Sequence, residues 1–143
     1  MQSRPLPTHD SRTLLVDTKL EHRVQLVEHV KHDVQLVERL NRAGFRTDFA
    51  VSWSAARAAL GANYYHSCIV VADLDQPADL EQLDELRRAA LRVWIVVLSD
   101  LQPENALALA RRQGIDAVLS APFSMQDLTS RLVAFSLRAR PTF

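Results

Sequence analysis

Glycine is nearly missing from this chain of 143 residues: only Gly44, Gly61 and Gly114 occur. A loop that wraps a nucleotide phosphate needs clustered glycines to bring backbone N–H groups close, so that class of site is excluded. Cysteine is reduced to Cys68, which rules out an internal disulfide and a thiolate metal site and fits a reducing, cytoplasmic compartment. Lysine is confined to Lys19 and Lys31, against 15 arginines. No apolar run approaches membrane-spanning length; the longest, 68–72 and 93–98, are as long as strands. Residues 1–11 have no apolar centre and therefore do not read as a signal peptide. Lys plus Arg equals Asp plus Glu at 17 each, and this zero net charge argues against direct nucleic-acid binding or a polybasic membrane anchor.

What is abundant is aliphatic sequence, and it is organised. Residues 1–11 are polar and proline-containing and read as a disordered lead-in; 12–138 read as one domain, with 139–143 as a tail. Apolar runs at 13–16, 67–72 and 92–98, an alternating stretch at 45–51 and a last short segment at 115–119 predict five strands. Between them, helical periodicity predicts helices over 19–43, from Ser52 or Ser54 to Leu60, over 80–90 behind an Asp79 cap, from Pro103 to Gln113, and from a Ser124 cap to 138. Each glycine is expected to close a helix. Strands that are continuously apolar imply a parallel sheet covered on both faces. The predicted class is α/β: a three-layer α/β/α, flavodoxin-like fold with a five-stranded parallel sheet and an extended first helical region.

Two predicted strands end in aspartate, at Leu-Leu-Val-Asp17 and Val-Val-Ala-Asp73. In a parallel sheet both carboxylates emerge on one edge, near the switch point, where oxygen ligands can hold a hard divalent cation. Aspartate at a strand end also serves simply to cap the next loop or helix. Other constellations are weaker. His22, His29 and His32 share a segment but read as a solvated face, and Arg87-Arg88 and Arg111-Arg112 read as helix-end or surface pairs. Trp53, Trp94 and Cys68 read as packing residues.

From about residue 12 to 138 the chain resembles the response-regulator receiver family. Asp73-Leu-Asp-Gln-Pro77 resembles the phosphoacceptor aspartate with its proline four residues on. Leu-Ser99 matches the hydroxyl position, Asp116-Ala-Val-Leu-Ser-Ala-Pro122-Phe123 the fifth-strand segment, and Ala43-Gly44-Phe45 the turn into the second strand. The resemblance implies a site built from Asp17, Asp73 and Asp75 with Ser99, and a histidine kinase as partner of a working receiver. The departures are specific. The second acid after the first strand is Thr18, the lysine before Pro-Phe is Ala121, and the aromatic switch position is Val118. Phosphoryl transfer to a carboxylate relies on cations that neutralise three equatorial oxygens. Losing one metal carboxylate weakens any magnesium site on Asp17 and Asp73, and losing the lysine deletes a second cation. The resemblance therefore implies a degenerate receiver, non-enzymatic and without a required cofactor, used as a protein interaction module.

One feature belongs to this chain alone. Val24-Gln-Leu-Val-Glu28 recurs unchanged as Val34-Gln-Leu-Val-Glu38 within a duplicated stretch of ten residues. Two registers of the resemblance follow: either Leu-Leu-Val-Asp17 is the first strand, or Val24–Glu28 is, with Glu28-His29 in place of the acid pair. The first has the better buried run. A single helix over 20–43 would be roughly 36 Å long, and ten residues rotate it by about 1000°, so the copies cannot bury one face. The extra length is expected at the acidic edge, with valines that favour a homodimer. Gel filtration with light scattering should give a dimer for the native chain and a monomer for a variant lacking residues 21–30. A monomer in both contradicts this.

Overall fold

A computed structural model describes residues 12–18, 33–99, 103–120, 123–138 and 140. Its strands are β1 (Thr13–Asp17), β2 (Thr47–Ala50), β3 (Ser67–Val71), β4 (Trp94–Ser99) and β5 (Ala117–Ser120). Its helices are α1 (Asp33–Arg42), α2 (Trp53–Ala62), α3 (Pro77–Ala89), α4 (Pro103–Gln113) and α5 (Met125–Ser136). Every strand pair is parallel, and the order is β2-β1-β3-β4-β5. This is the doubly wound, flavodoxin-like arrangement, with its switch point between β1 and β3.

Continuous apolar strands become a two-faced core because side chains alternate across a sheet. Leu14, Val16, Cys68, Val70, Ile95 and Val97 pack on one face against Ala56 and Leu60 of α2 and Leu83 and Leu86 of α3. Leu15, Ile69, Val71, Val96 and Leu98 pack on the other against Leu36 and Leu40 of α1 and Leu128, Leu132 and Phe135 of α5. Each fully buried Leu, Ile or Val contributes about 1.5–3 kcal/mol. Burial also pushes the Cys68 thiol up to about 12, so this side chain is a protonated core group.

The expected three-layer architecture is the observed one, and β1 at Thr13–Asp17 selects the first of the two registers. Residues 19–32, with the whole first copy of the repeat and His22, His29 and His32, lie outside the described residues. Three local expectations are corrected. Gly61 lies inside α2, not after it, because the helix runs on to a C-cap at Asn63 and a Cβ at Gly61 would meet open space. Gly44 and Gly114 do follow helices, with φ of 100° and 71°. Helix α3 begins at Pro77 behind Gln76, so Asp79 stands within its first turn and does not cap it. Ser52 and Ser124 cap α2 and α5 as expected, Ser124 in a reciprocal box with Asp127.

The third correction concerns Arg87, which is a buried side chain and no surface pair. Its Nη2 donates to Asp116 Oδ2 at 2.9 Å, its Nε to the Gly114 carbonyl at 3.0 Å, and its Nη1 to the carbonyls of Ala90 and Val93 at 3.0 and 2.8 Å. Gly114 suits this place, since its φ of 71° disfavours a side chain and a Cβ would sit a tight 3.3 Å from Arg87 Cγ. Asp116 also accepts from the Ile95 backbone N–H and from Arg140 Nε, both at 2.9 Å. One carboxylate thus ties α3, the start of β4, the start of β5 and the end of the chain together. Burial lowers the Arg87 guanidinium from its ordinary value, with Arg140 adding repulsion and Asp116 opposing both. Arg88, by contrast, is exposed and pairs with Asp84 at 2.8 Å.

Asp116→Ala leaves Arg87 buried without its counter-ion and should cost about 3–5 kcal/mol in urea unfolding. Asp84→Ala, which breaks only the exposed pair, should cost less than about 1 kcal/mol. Equal losses would contradict the assigned role of Asp116.

Candidate functional site

The winding of the sheet decides where polar groups collect. Strands end, and helices begin, at one edge; helices end at the other. Asp17 closes β1 and is paired in register with Val71, the last residue of β3. Asp73 follows two residues later, and Ser99 closes the neighbouring β4. The structure therefore brings Asp17, Asp73 and Ser99 to adjacent strand ends on the C-terminal edge. Asp17 and Ser99 are buried, Asp73 is half-buried and Asp75 is exposed.

The loop after β3 is shaped by its own residues. The Gln76 N–H donates to the Asp73 carbonyl at 3.0 Å, closing a four-residue turn. Leu74 within the turn is fully buried and pins it to the core. Asp79, buried in the first turn of α3, accepts the Asp73 backbone N–H on its Oδ2 at 2.8 Å. This contact was not visible in the sequence as such. Asp79 stood out there only as a cap, six residues from the group it holds. Its position at a helix N-terminus also suits a carboxylate.

A divalent cation at this edge needs convergent oxygen ligands. Thr18, half-buried, stands where a second acid would extend the set, and among the described residues no three His, Cys, Asp or Glu side chains form a group able to hold a metal. Asp17 and Asp73 are neighbours at the ends of paired strands. Val118 is partly buried and packs against the core face covered by α2 and α3. Ala121 lies outside the described residues; Phe123, two positions on, is buried.

Positive charge collects at the opposite edge. Arg39 and Arg42, Arg87 and Arg88, and Arg111 and Arg112 occupy the last turns of α1, α3 and α4. Arg12, Arg46 and Arg92 precede β1, β2 and β4. Acids lie in the first turns of α3, α4 and α5, at Asp79, Glu104 and Asp127. Among the described residues, acids thus stand at helix starts and arginines in helix last turns. At the arginine end, Arg12 donates to Asp48 at 2.7 Å while its guanidinium lies 4.9 Å from the Tyr65 ring centroid. The Tyr65 hydroxyl, first of all, and then Arg12 hold the Asp48 carboxyl below the ordinary carboxylate range.

Asp79→Ala removes the acceptor of the Asp73 N–H and should cost about 1–3 kcal/mol, with faster hydrogen exchange at Asp73. Asp79→Asn keeps an acceptor oxygen and should retain most of that protection. Unchanged exchange at Asp73 in Asp79→Ala contradicts the assigned contact.

No family model matches the sequence, and no curated protein matches it significantly. Solved structures do. A two-component response regulator from Clostridium difficile is 16% identical with a TM-score of 0.68, covering 89% of this chain and 96% of its own. A Francisella response-regulator receiver domain is 22% identical with a TM-score of 0.66, covering 89% and 97%. A protein described as putatively pilus assembly-related, from Burkholderia pseudomallei, is 15% identical with a TM-score of 0.69 and covers all of both chains. The strand order, the helix placement and these likenesses agree: the chain has the fold of the response-regulator receiver (CheY-like) domains.

Proposed function

We propose that this chain is an atypical receiver-like signalling module that works through protein–protein contacts, self-association among them, and independently of aspartyl phosphorylation. The observation that carries the reading is the composition of the C-terminal strand edge. It keeps a carboxylate at Asp73 and a hydroxyl at Ser99, yet Asp17 is followed by Thr18 and no metal-holding group of carboxylates forms among the described residues. Phosphoryl transfer onto a carboxylate brings two anions together, and its rate depends on cations placed to offset that charge. The described arginines concentrate at the other edge of the sheet. On this reading the domain is a non-enzymatic, cytoplasmic protein whose surface carries its output.

The half-buried Asp73 and the adjacent Ser99 favour a second reading, a receiver phosphorylated on Asp73 by a histidine kinase. The two readings differ in one chemical step, attack of an Asp73 Oδ on phosphorus with loss of the donor's leaving group.

Incubation with acetyl phosphate and Mg²⁺, followed by intact-mass measurement at neutral pH, should give no phosphoryl adduct on the native chain. An adduct that disappears in Asp73→Asn overturns the proposal in favour of the second reading.

A further inference from the structure

The arginine-bearing edge contains a preformed groove of about 330 Å³ between the ends of α2 and α3 and the start of β4. Leu60 and Leu91 give it apolar walls, Tyr64 an aromatic one, and Arg88 and Arg92 flank it. Two large side chains stand open to solvent there, Tyr64 at 54% and Leu91 at 51%. Such a volume lies at the small end of ligand sites and suits a side chain or two of a peptide.

The groove is built rather than incidental. The Tyr64 hydroxyl donates to His66 Nδ1 at 3.3 Å, and His66 Nε2 donates in turn to the Phe135 carbonyl at 2.5 Å. The Leu91 carbonyl accepts from Arg87 Nη1 at 3.3 Å and from Arg140 Nη1 at 3.0 Å. Its walls are thereby tied to α5, to Asp116 and to the end of the chain, which lowers the ordering cost of binding. The same contacts decide its electrostatics. Helix C-termini ordinarily favour cations. Here Arg87 occupies the carbonyls of Ala90, Leu91 and Val93, so the carbonyl ends of α3 and its following loop are already neutralised. Arg88 and Arg92 then set the sign of the rim. The Asp84 partner of Arg88 is 41% exposed, and an exposed pair of that kind is worth less than about 1 kcal/mol, so a competing carboxylate displaces it cheaply.

We propose that this groove docks an acidic peptide segment of a partner protein, with an aliphatic or aromatic anchor seated between Leu60, Tyr64 and Leu91. Tyr and Arg around a concave apolar centre is the composition that concentrates binding energy at interfaces. Nucleic acid fits less well, because Arg87 is spent on carbonyls and Asp116, and Arg12 on Asp48. A second copy of the chain fits less well too. The acidic edge has the right charge, but among its described apolar residues Leu74, Leu98 and Phe123 are buried, and exposed Val51 is a small side chain for this groove. The proposal rests on the reading of the domain as an interaction module and names the surface and the partner's chemistry.

Random dodecapeptides displayed on phage are selected on the native chain, and recovered sequences are synthesised with a fluorescent label. The expected consensus has acids flanking one Leu, Ile, Phe or Trp. Fluorescence anisotropy should weaken at least about tenfold in Leu91→Glu/Arg92→Glu and change less than about twofold in Arg111→Glu/Arg112→Glu, which alters the same edge outside the groove. If the double variant does not fold, Tyr64→Ala, also at an exposed position, replaces it. Recovery of no peptide binding more tightly than about 1 mM overturns the proposal. So does binding unaffected by the groove variants, or lost equally in the control. Tighter binding of a double-stranded DNA oligomer, or a groove variant that only changes the native mass by light scattering, assigns the groove to another occupant and overturns it as well. None of these results bears on whether Asp73 takes a phosphoryl group, so failure of this proposal and failure of the underlying reading are distinguishable.

Discussion

A parallel sheet wound in one direction has only two kinds of edge, and that constraint governs the charge of this molecule. Strand ends and helix starts share one edge; helix ends share the other. Acids favour helix starts and cations favour helix ends through the helix dipole. The chain follows both preferences, with Asp79, Glu104 and Asp127 at helix starts and three pairs of arginines in last turns. A net charge of zero therefore conceals, among the described residues, a separation of helix-start acids from helix-end arginines. Any chemistry at Asp73 takes place on the acidic edge, and the helix-end arginines of the described residues lie across the sheet from it.

The arginine edge, in turn, holds the domain together. Asp116 compensates Arg87 and Arg140, and Arg87 satisfies the carbonyls that α3 and its following loop leave open. The end of the chain closes over the same place, where Trp94 stacks on Phe135 with ring centroids 4.4 Å apart and donates its indole N–H to the Arg138 carbonyl at 3.2 Å. A buried guanidinium with a full set of acceptors is a positional device as much as a stabilising one. It fixes the loop between α3 and β4, and with it the groove. The buried Arg87–Asp116 network and the proposed interaction surface thus lie on the same edge.

Much of this was legible in the sequence for a physical reason. The apolar runs of β1, β3 and β4 are continuous, their spacing by helical segments allows only a covered parallel sheet, and the strand-terminal Asp17, Asp73 and Ser99 follow from that topology. What was not legible depended on distance. Arg87 meets Asp116 across 29 residues and Asp116 meets Arg140 across 24, and no local pattern distinguishes Arg87 from exposed Arg88 beside it. Gly61 misled because a glycine near a helix end usually stops it, whereas α2 continues through it to Ala62. Asp79 misled similarly: its chemistry suited a cap, but the tight turn after Asp73 lets the helix start three residues earlier and turns its carboxylate back on the Asp73 N–H.

The central claim is that the acidic edge keeps the outline of a phosphoacceptor site without its electrostatics. Beryllium fluoride with Mg²⁺ mimics the phosphoryl group and its metal on such a carboxylate, and a titration followed by amide NMR reads the edge residue by residue. The account predicts no saturable shifts at Asp73, Thr18 or Ser99 in the native chain near neutral pH. Saturable shifts at those amides, abolished by Asp73→Asn, would contradict it.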